Sequence, residues 1–334
     1  MERILLDHGS GGKLSHELVQ TCFLPLLGKG DPHQLNDSAN VEIDNTGLAI
    51  TTDSFVVDPI FFPGGDIGHL AVCGTVNDLS MAGARPLWLT TAFILEEGLP
   101  MADLRRIVES MARTARKAGV DLVAGDTKVV PKGKADKLFI NTTGVGVVKR
   151  GRTFGGQFAL PGDQILISGT VGDHGVAILS SREGLAFETP VLSDSTPLWD
   201  LTKTILDTGA DIRVMRDPTR GGVATTLNEI ALQSELGIEI QEDAIPFKEA
   251  VSSACEILGL DLLFLANEGK MLVFVTKDEV NMVLAAMKNH PDGREARRIG
   301  EVVSEHPGRV VMRTRIGGRR IVEMLTGEQL PRIC

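Results

Sequence analysis

A glycine-rich crossing, KRGRTFGGQFALPGD at positions 149–163, divides the chain into two stretches, and each alternates β-branched runs with helical periodicity. That alternation restricts the architecture more than any other feature. A sheet buries its apolar face only against another layer, so strands interleaved with amphipathic helices call for sheets covered by helices. In the first stretch GLAITTDSFVV, LWLTTAFILE and LFINTTGVGVV read as strands. Between them DIGHLAVCGTVNDLSMAGARP fits a buried helix ended by Gly83 and Pro86. MADLRRIVESMARTARKAG is an amphipathic helix, with Leu104, Ile107, Val108, Met111 and Ala115 on one face and Gly119 as its C-cap.

The second stretch repeats the pattern. QILISGT and KMLVFVT read as strands, and HGVAILSSREG, PLWDLTKTILDTG, TTLNEIALQSELG, FKEAVSSACEILG and DEVNMVLAAMKNH as helices. RVVMRTRIGGRRIVEML reads as a hairpin across its GG pair. A chain of 334 residues exceeds one typical core. The expected class is therefore α+β, with two α/β-type domains at 1–150 and 151–325 and a mobile tail, TGEQLPRIC, over 326–334.

The net charge of -10 argues against nucleic acid or an anionic membrane as the main partner, whereas a nucleotide chelated by magnesium stays compatible. The opening MERILLDHGSGGKL lacks the apolar core of a signal peptide, and no run approaches the roughly 18 apolar residues of a membrane span. A cytosolic location is expected. Cys22, Cys73, Cys255 and Cys334 are widely separated and form no CxxC pair, which fits reduced thiols better than disulfides or zinc. The seven histidines form no HxxxH or HExxH spacing, so neither a zinc nor a serine-hydrolase site can be built on them.

The glycine loop DHGSGGK offers backbone N–H groups and Lys13 to an anion, though it is not a Walker A motif. Five aspartates occupy similar settings: Asp37 in LNDSAN, Asp53 in TTDSF, Asp78 in VNDLSMAGA, Asp126 in AGDTKVV and Asp217 in RDPTRGG. Singly, each reads as a cap or turn residue. Converging, they are hard donors for Mg²⁺ that also ligates phosphates. In RDPTRGG, Pro218 and two glycines lead into a helix start, with Arg220 placed for a phosphate contact. TTGVGVV suits a nucleotide edge or a β-bulge, and Glu268 in ANEGKM sits on an expected turn.

Taken together, DHGSGGK, TTDSFVVDPIFFPGGDIGHLAVCGTVNDLSMAGARP, AGDTKVV, RDPTRGG and the terminal PRIC resemble the hydrogenase maturation HypE family, the carbamoyl dehydratases. The resemblance covers essentially the whole chain. More distantly the chain is similar to aminoimidazole ribonucleotide synthetase, selenophosphate synthetase and thiamine-monophosphate kinase. The GSGGK loop lacks the nucleophilic Cys or Sec of selenophosphate synthetases, which argues against that activity.

The resemblance implies an N-terminal sheet that dimerises into a barrel-like core beside which ATP and Mg²⁺ bind, and a C-terminal sheet covered by helices. It implies Asp37, Asp53, Asp78 and Asp217 as metal ligands. Lys13, Gly11, Gly12, Thr52, Asp53, Asn77, Asp126, Thr143 and Arg220 would contact the nucleotide. Cys334, Glu268 and Lys128 would be catalytic, with Lys128 keeping Glu268 ionised as a general base. A carbamoyltransferase of the HypF type would load Cys334. ATP-dependent dehydration would convert the carbamoyl group to a thiocyanate, and an iron-carrying scaffold of the HypC–HypD type would take the cyano group for [NiFe]-hydrogenase. Such a tail extends at most about 30 Å. Ile333 is expected to anchor in an apolar pocket and Arg332 to meet acidic or phosphate groups, with ATP favouring the tail-in state. Two rivals predict otherwise: a synthetase or kinase acting on a free small molecule, and a non-catalytic thiol carrier.

Overall fold

The computed structural model describes residues 4–27, 36–44, 46–149, 153–184, 191–327 and 332–334. The chain enters through α1 (Lys13–Leu18), a π-helical turn over Val19–Phe23 and α2 (Leu24–Leu27). There follow β1 (Ala39–Ile43), β2 (Thr46–Phe55), the two-residue strands β3 (Phe61–Phe62) and β4 (Gly65–Asp66), and α3 (Ile67–Met81). Strand β5 (Ala84–Glu96), helix α4 (Met101–Ala118), β6 (Asp121–Val130) and β7 (Leu138–Val148) complete this half. The sheet order is β1-β2-β7-β5-β6; only β5 and β6 run parallel.

One face of this sheet is covered by α3 and α4. Helix α3 is buried nearly all round, which is why it carries no polar stripe, and the Asp66 side chain caps it by accepting from Gly68 N and His69 N, both at 2.9 Å. Helix α4 buries Ile107, Met111 and Ala115 and ends at Gly119 with φ 68°, as expected, while Leu104 is half-buried and Val108, at the margin of the stripe, is exposed. Gly83 turns the chain after α3 with φ 67°, and a Cβ there would run into the Phe154 ring, so the crossing segment packs on the end of α3. Pro86, expected to help end α3, lies inside β5. A bulge between Pro86 and Trp88 accommodates its missing N–H. The opposite sheet face and the β6 edge are bare: Asp121 to Val129 are all exposed, as are Ile50, Trp88 and Ile94.

The second half comprises β8 (Gln164–Ile167), α5 (Asp173–Glu183), α6 (Trp199–Asp207), β9 (Ile212–Arg216), α7 (Gly222–Ser234) and β10 (Gly237–Gln241). It continues with α8 (Glu249–Leu258), β11 (Leu272–Val275), α9 (Val280–Asn289), β12 (Arg297–Val303), β13 (Val310–Arg313) and β14 (Arg319–Val322). Their sheet has the order β14-β13-β10-β12-β8-β11-β9. Phe274, Leu272 and Ile165 pack with α7 in one apolar cluster, while Val273, Leu166 and Val275 pack with α6 and α9 in another. Alternate residues of buried strands thus feed opposite faces, leaving β8 and β11 buried throughout and apolar apart from Gln164. The predicted terminal hairpin is present, with Val310 opposite Val322 and Arg313 opposite Arg319. The halves are laced together at Ser193 N, which donates to Pro63 O at 2.8 Å, and at His69 Nε2, 2.9 Å from Ser195 O.

Candidate active site

Four aspartates arrive from four places in the chain: Asp37 ahead of β1, Asp53 in β2, Asp78 in α3 and Asp217 directly after β9. The inward alternation of β2 turns Thr51 and Asp53 toward α3, where Thr51 Oγ1 donates to Asp78 Oδ2 at 2.6 Å. Burial, then the charges of Asp53, Asp217 and Asp37, push Asp78 well above the usual carboxylate range. Asp217 is raised likewise, first by burial and then by Asp37. Asp37 is pushed up to about 6 by burial, against the pull of Arg216. Arg216 sits 2.7 Å from Asp37 and 2.7 Å from Glu229, forming a pair of buried ion contacts. Among the described residues no three acidic, His or Cys side chains gather into a ready metal cage.

Glu268 is 3 % exposed and is pushed well above its ordinary range, first by burial, then by Asp217, Asp194 and Asp53. Its Oε1 and Asp217 Oδ2 are buried carboxylate oxygens without a hydrogen-bond partner among the described residues. The Glu268 main chain is fixed from both sides: its N–H donates to Asp194 Oδ1 at 3.0 Å, and its carbonyl accepts from Asn77 Nδ2 at 3.1 Å.

Beside this group lies a cavity of about 310 Å³, lined by Gly9 and Ser10 of the glycine loop, Ser54 near the end of β2, Val56 just after it, Arg220, and Arg332–Cys334. Gly11 and Gly12 sit against Arg220 and Leu325, and Arg220 Nη1 donates to Gly9 O at 2.9 Å. Gly222 opens α7 with φ 61°, and a Cβ there would meet Leu263 O and Leu265 O at 2.5 Å, so this turn approaches its neighbours as only glycine allows. A larger cleft of about 480 Å³, walled by Lys288, Arg294, Arg297 and Arg315 among others, lies elsewhere on the C-terminal half and touches none of these groups.

The last three residues, the end of a tail expected to be mobile, are docked, with Ile333 and Arg332 in the kinds of contact expected of them. Ile333 is 5 % exposed within an apolar cluster, and Arg332 pairs with Asp136. Cys334 keeps partial exposure as a residue, but its thiol is buried and is pushed up to about 12 by that burial. Arg220 pulls the thiol down, while Glu268 and Asp53 push it further up. A free thiol ionises near about 8.5, so the undocked tail loses its proton first. Docking is therefore fully favoured below about pH 8.5 and weakens about tenfold per pH unit between there and about 12. Tryptic release of Ile333–Cys334, normalised to a free PRIC peptide, should rise over that range. It should stay flat in Cys334→Ser, and a flat wild-type curve would contradict the assignment.

Several expected site residues lie elsewhere. Lys128 does not meet Glu268: β6 is the exposed sheet edge, and Lys128 there pairs with Asp126 at 2.6 Å, two residues away on the same strand. Thr52 and Thr143 are cross-strand partners on the sheet face opposite Asp53, with Thr143 Oγ1 donating to Thr52 Oγ1 at 3.0 Å. Asn77 is committed to structure: its Nδ2 donates to Thr196 O and Glu268 O, and its Oδ1 accepts from Leu198 N. Lys13 is exposed at the start of α1. Arg216, Asp194, His174 and Arg182 are additions that sequence reading did not single out, although Arg216 stands in RDPTRGG directly before Asp217.

Residues 35–148 match the AIR synthase related protein N-terminal domain, and residues 161–313 match its C-terminal domain. The chain is 54% identical over 333 residues to a carbamoyl dehydratase HypE of Cupriavidus necator, covering 99% of this chain and 95% of that relative. Among solved structures it resembles a HypE–HypF complex, with TM-score 0.87, 50% identity, and 92% and 99% of the two chains covered. It also resembles hydrogenase maturation protein HypE in complex with ATP, with TM-score 0.84, 51% identity, and 99% and 100% covered.

Proposed function

The chain belongs to the AIR synthase related family, alongside the carbamoyl dehydratase HypE proteins, and on that premise we propose that it dehydrates an S-carbamoyl group on its own Cys334 to a thiocyanate. One observation carries the reading: the terminal thiol is docked in a cavity with the glycine loop and Arg220, next to an unpartnered buried carboxylate oxygen of Glu268. A terminus placed there is positioned as substrate.

The relative solved with ATP supports ATP as the co-substrate. Asp37, Asp53, Asp78 and Asp217 fit Mg²⁺ chemically. They are hard oxygen donors whose mutual repulsion a cation would relieve, and Asp217 Oδ2 lacks a partner. Bound there, Mg-ATP would supply the phosphoryl group that turns the carbamoyl oxygen into a phosphate leaving group, with ADP departing and the first of the two nitrogen protons released to solvent as the C=N bond forms. Arg220, joined to the glycine loop through Gly9 O, faces the charge that develops on that oxygen. Glu268 takes the remaining nitrogen proton; the C–O bond then breaks, inorganic phosphate leaves, and the C≡N bond forms on sulfur. The oxygen lost in dehydration thus departs as a phosphate oxygen.

The bare β6 edge and the exposed apolar positions Ile50, Trp88 and Ile94 support a homodimer closed through the N-terminal sheets. Asp126, Lys128, Thr52 and Thr143 would then face the partner subunit's site. A HypF-type carbamoyltransferase is the proposed donor, in line with the relative solved in complex with HypF, and a HypC–HypD-type iron scaffold the acceptor. A free thiol at Cys334 suits the reducing cytosol. Intact-mass spectrometry after carbamoylation tests the reaction. The modified chain should lose the mass of one water only when Mg-ATP is added, and a modified cysteine elsewhere would overturn the assignment.

A further inference from the structure

We infer that Val56–Asp58, His174 and Arg182 form a peptide-binding groove that reads an Arg–aliphatic pair next to the terminal residue, with His174 and Arg182 as positioning residues for the reaction at Cys334. Its catalytic consequence rests on the dehydratase reading; the grip itself does not.

The groove holds the terminus chiefly by its main chain. Val56 N donates to Cys334 O at 3.0 Å and Asp58 N to Arg332 O at 3.2 Å, so the terminus lies alongside 56–58 as an added strand would. The intervening carbonyl, Ile333 O, lies 2.8 Å from His174 Nε2. The other ring nitrogen, Nδ1, is 2.8 Å from Ser193 Oγ, and Phe62 meets the ring edge-on at a centroid distance of 5.6 Å. With the tail docked His174 is wholly buried, and both of its ring nitrogens are engaged, one by Ser193 and one by the tail. Arg182 completes the grip, with Nη2 donating to Asp58 O at 2.6 Å and to Arg332 O at 3.0 Å. One guanidinium thus ties the tail to the strand it lies against.

Side-chain reading is confined to two positions. Arg332 donates from Nε to Val56 O at 2.9 Å and pairs with Asp136, while Ile333 enters the cluster that contains Phe62, Ile178 and Ala266. Arg332 also sits at φ 53°, a region a residue with a side chain rarely adopts unaided. Contacts from both halves of the protein over-determine that backbone. Together they set where the next residue, Cys334, ends.

The four cysteines make the test internal to the full chain. Cys22 is exposed, whereas Cys73 and Cys255 are buried and report general opening. Iodoacetamide labelling followed by peptide mass spectrometry gives each rate separately. In the wild type Cys334 should label far more slowly than Cys22. Arg182→Ala, which loses a charge-assisted bond, and Ile333→Asp, which puts a charge into the apolar cluster, should each speed Cys334 labelling by about tenfold or more, and His174→Leu and Asp136→Ala, the latter breaking a half-exposed ion pair, by about two- to fivefold. Cys73 and Cys255 should remain protected, and His174→Gln, which keeps a donor, should restore most of the protection. An added Pro-Arg-Ile-Ser peptide should also expose wild-type Cys334. Unchanged Cys334 rates in Arg182→Ala and Asp136→Ala would overturn the groove. If His174→Leu opens the buried cysteines as well, Asp136→Ala and Ile333→Asp decide the matter. Lost protection without any loss of dehydration would keep the peptide site and overturn the positioning role.

Discussion

Replacing Cys334 by serine is expected to abolish the dehydrated product while leaving the unfolding midpoint unchanged. The contact that Cys334 O accepts from Val56 N is a main-chain one and does not involve the side chain. The thiol lines a cavity and packs on the edge of the Ile333 cluster, where a hydroxyl replaces it with little change of volume. Chemically the change is severe. A hydroxyl is far less nucleophilic than a thiol at neutral pH and would accept the carbamoyl group poorly. Any nitrile formed on oxygen would also be a different product. Intact-mass spectrometry with the carbamoylating partner and Mg-ATP should therefore show the unmodified mass alone. A synthetase acting on a free small molecule predicts full ATP turnover in the same variant, so measuring phosphate release in parallel separates the two. Sustained, substrate-dependent turnover without Cys334 would remove the tail from the mechanism.

Much of the fold was legible because its elements carry one-dimensional signals. Helix α4 shows its stripe and its C-cap, Gly119, in sequence, and the β13–β14 hairpin shows its glycine pair. Strand β10 was not singled out: GIEIQ is short, and its place between β13 and β12 depends on partners many residues away. The carboxylates were recognisable as residues, but their mutual repulsion exists only once β2, α3 and β9 meet. Asn77 stands beside Asp78 in sequence, yet helical spacing turns its side chain toward Thr196, Leu198 and Glu268. Lys128 and Asp126 are two apart on one strand, so period-two alternation puts them on one face and lets them pair with each other. The tail gave the opposite lesson. TGEQLPRIC has no periodicity, yet Arg332, Ile333 and Cys334 dock through main-chain contacts that no sequence pattern records.

Glu268→Gln is expected to slow dehydration by about 10²–10⁴-fold, the range a positioned general base contributes. The replacement is nearly isosteric and keeps the main-chain contacts to Asp194 and Asn77, so the fold should be unaffected. It also takes a carboxyl group out of a crowd. Burial, then Asp217, Asp194 and Asp53, already push Glu268 well above the ordinary glutamate value of about 4.3. A raised value makes the ionised form a stronger base, and one that titrates closer to neutrality. Protonation disables it, so wild-type dehydration should fall as pH drops through the raised value, giving an acid limb well above about 4.3. The residual rate of Glu268→Gln should lack that limb, because glutamine has no proton to lose. Tail docking should survive, since His174, Arg182 and Asp136 hold the terminus without Glu268. Single-turnover rates of the pre-carbamoylated chain across pH separate the two effects. A variant rate within a few-fold of wild type, or an acid limb that persists in glutamine, would move the base to another group. Asp53 is the nearest alternative, because it too is raised by burial and acts on the Cys334 thiol. Its contact with Asp78, however, commits it to the carboxylate group that Mg²⁺ would occupy, which leaves Glu268 Oε1 as the unpartnered oxygen free to take the proton.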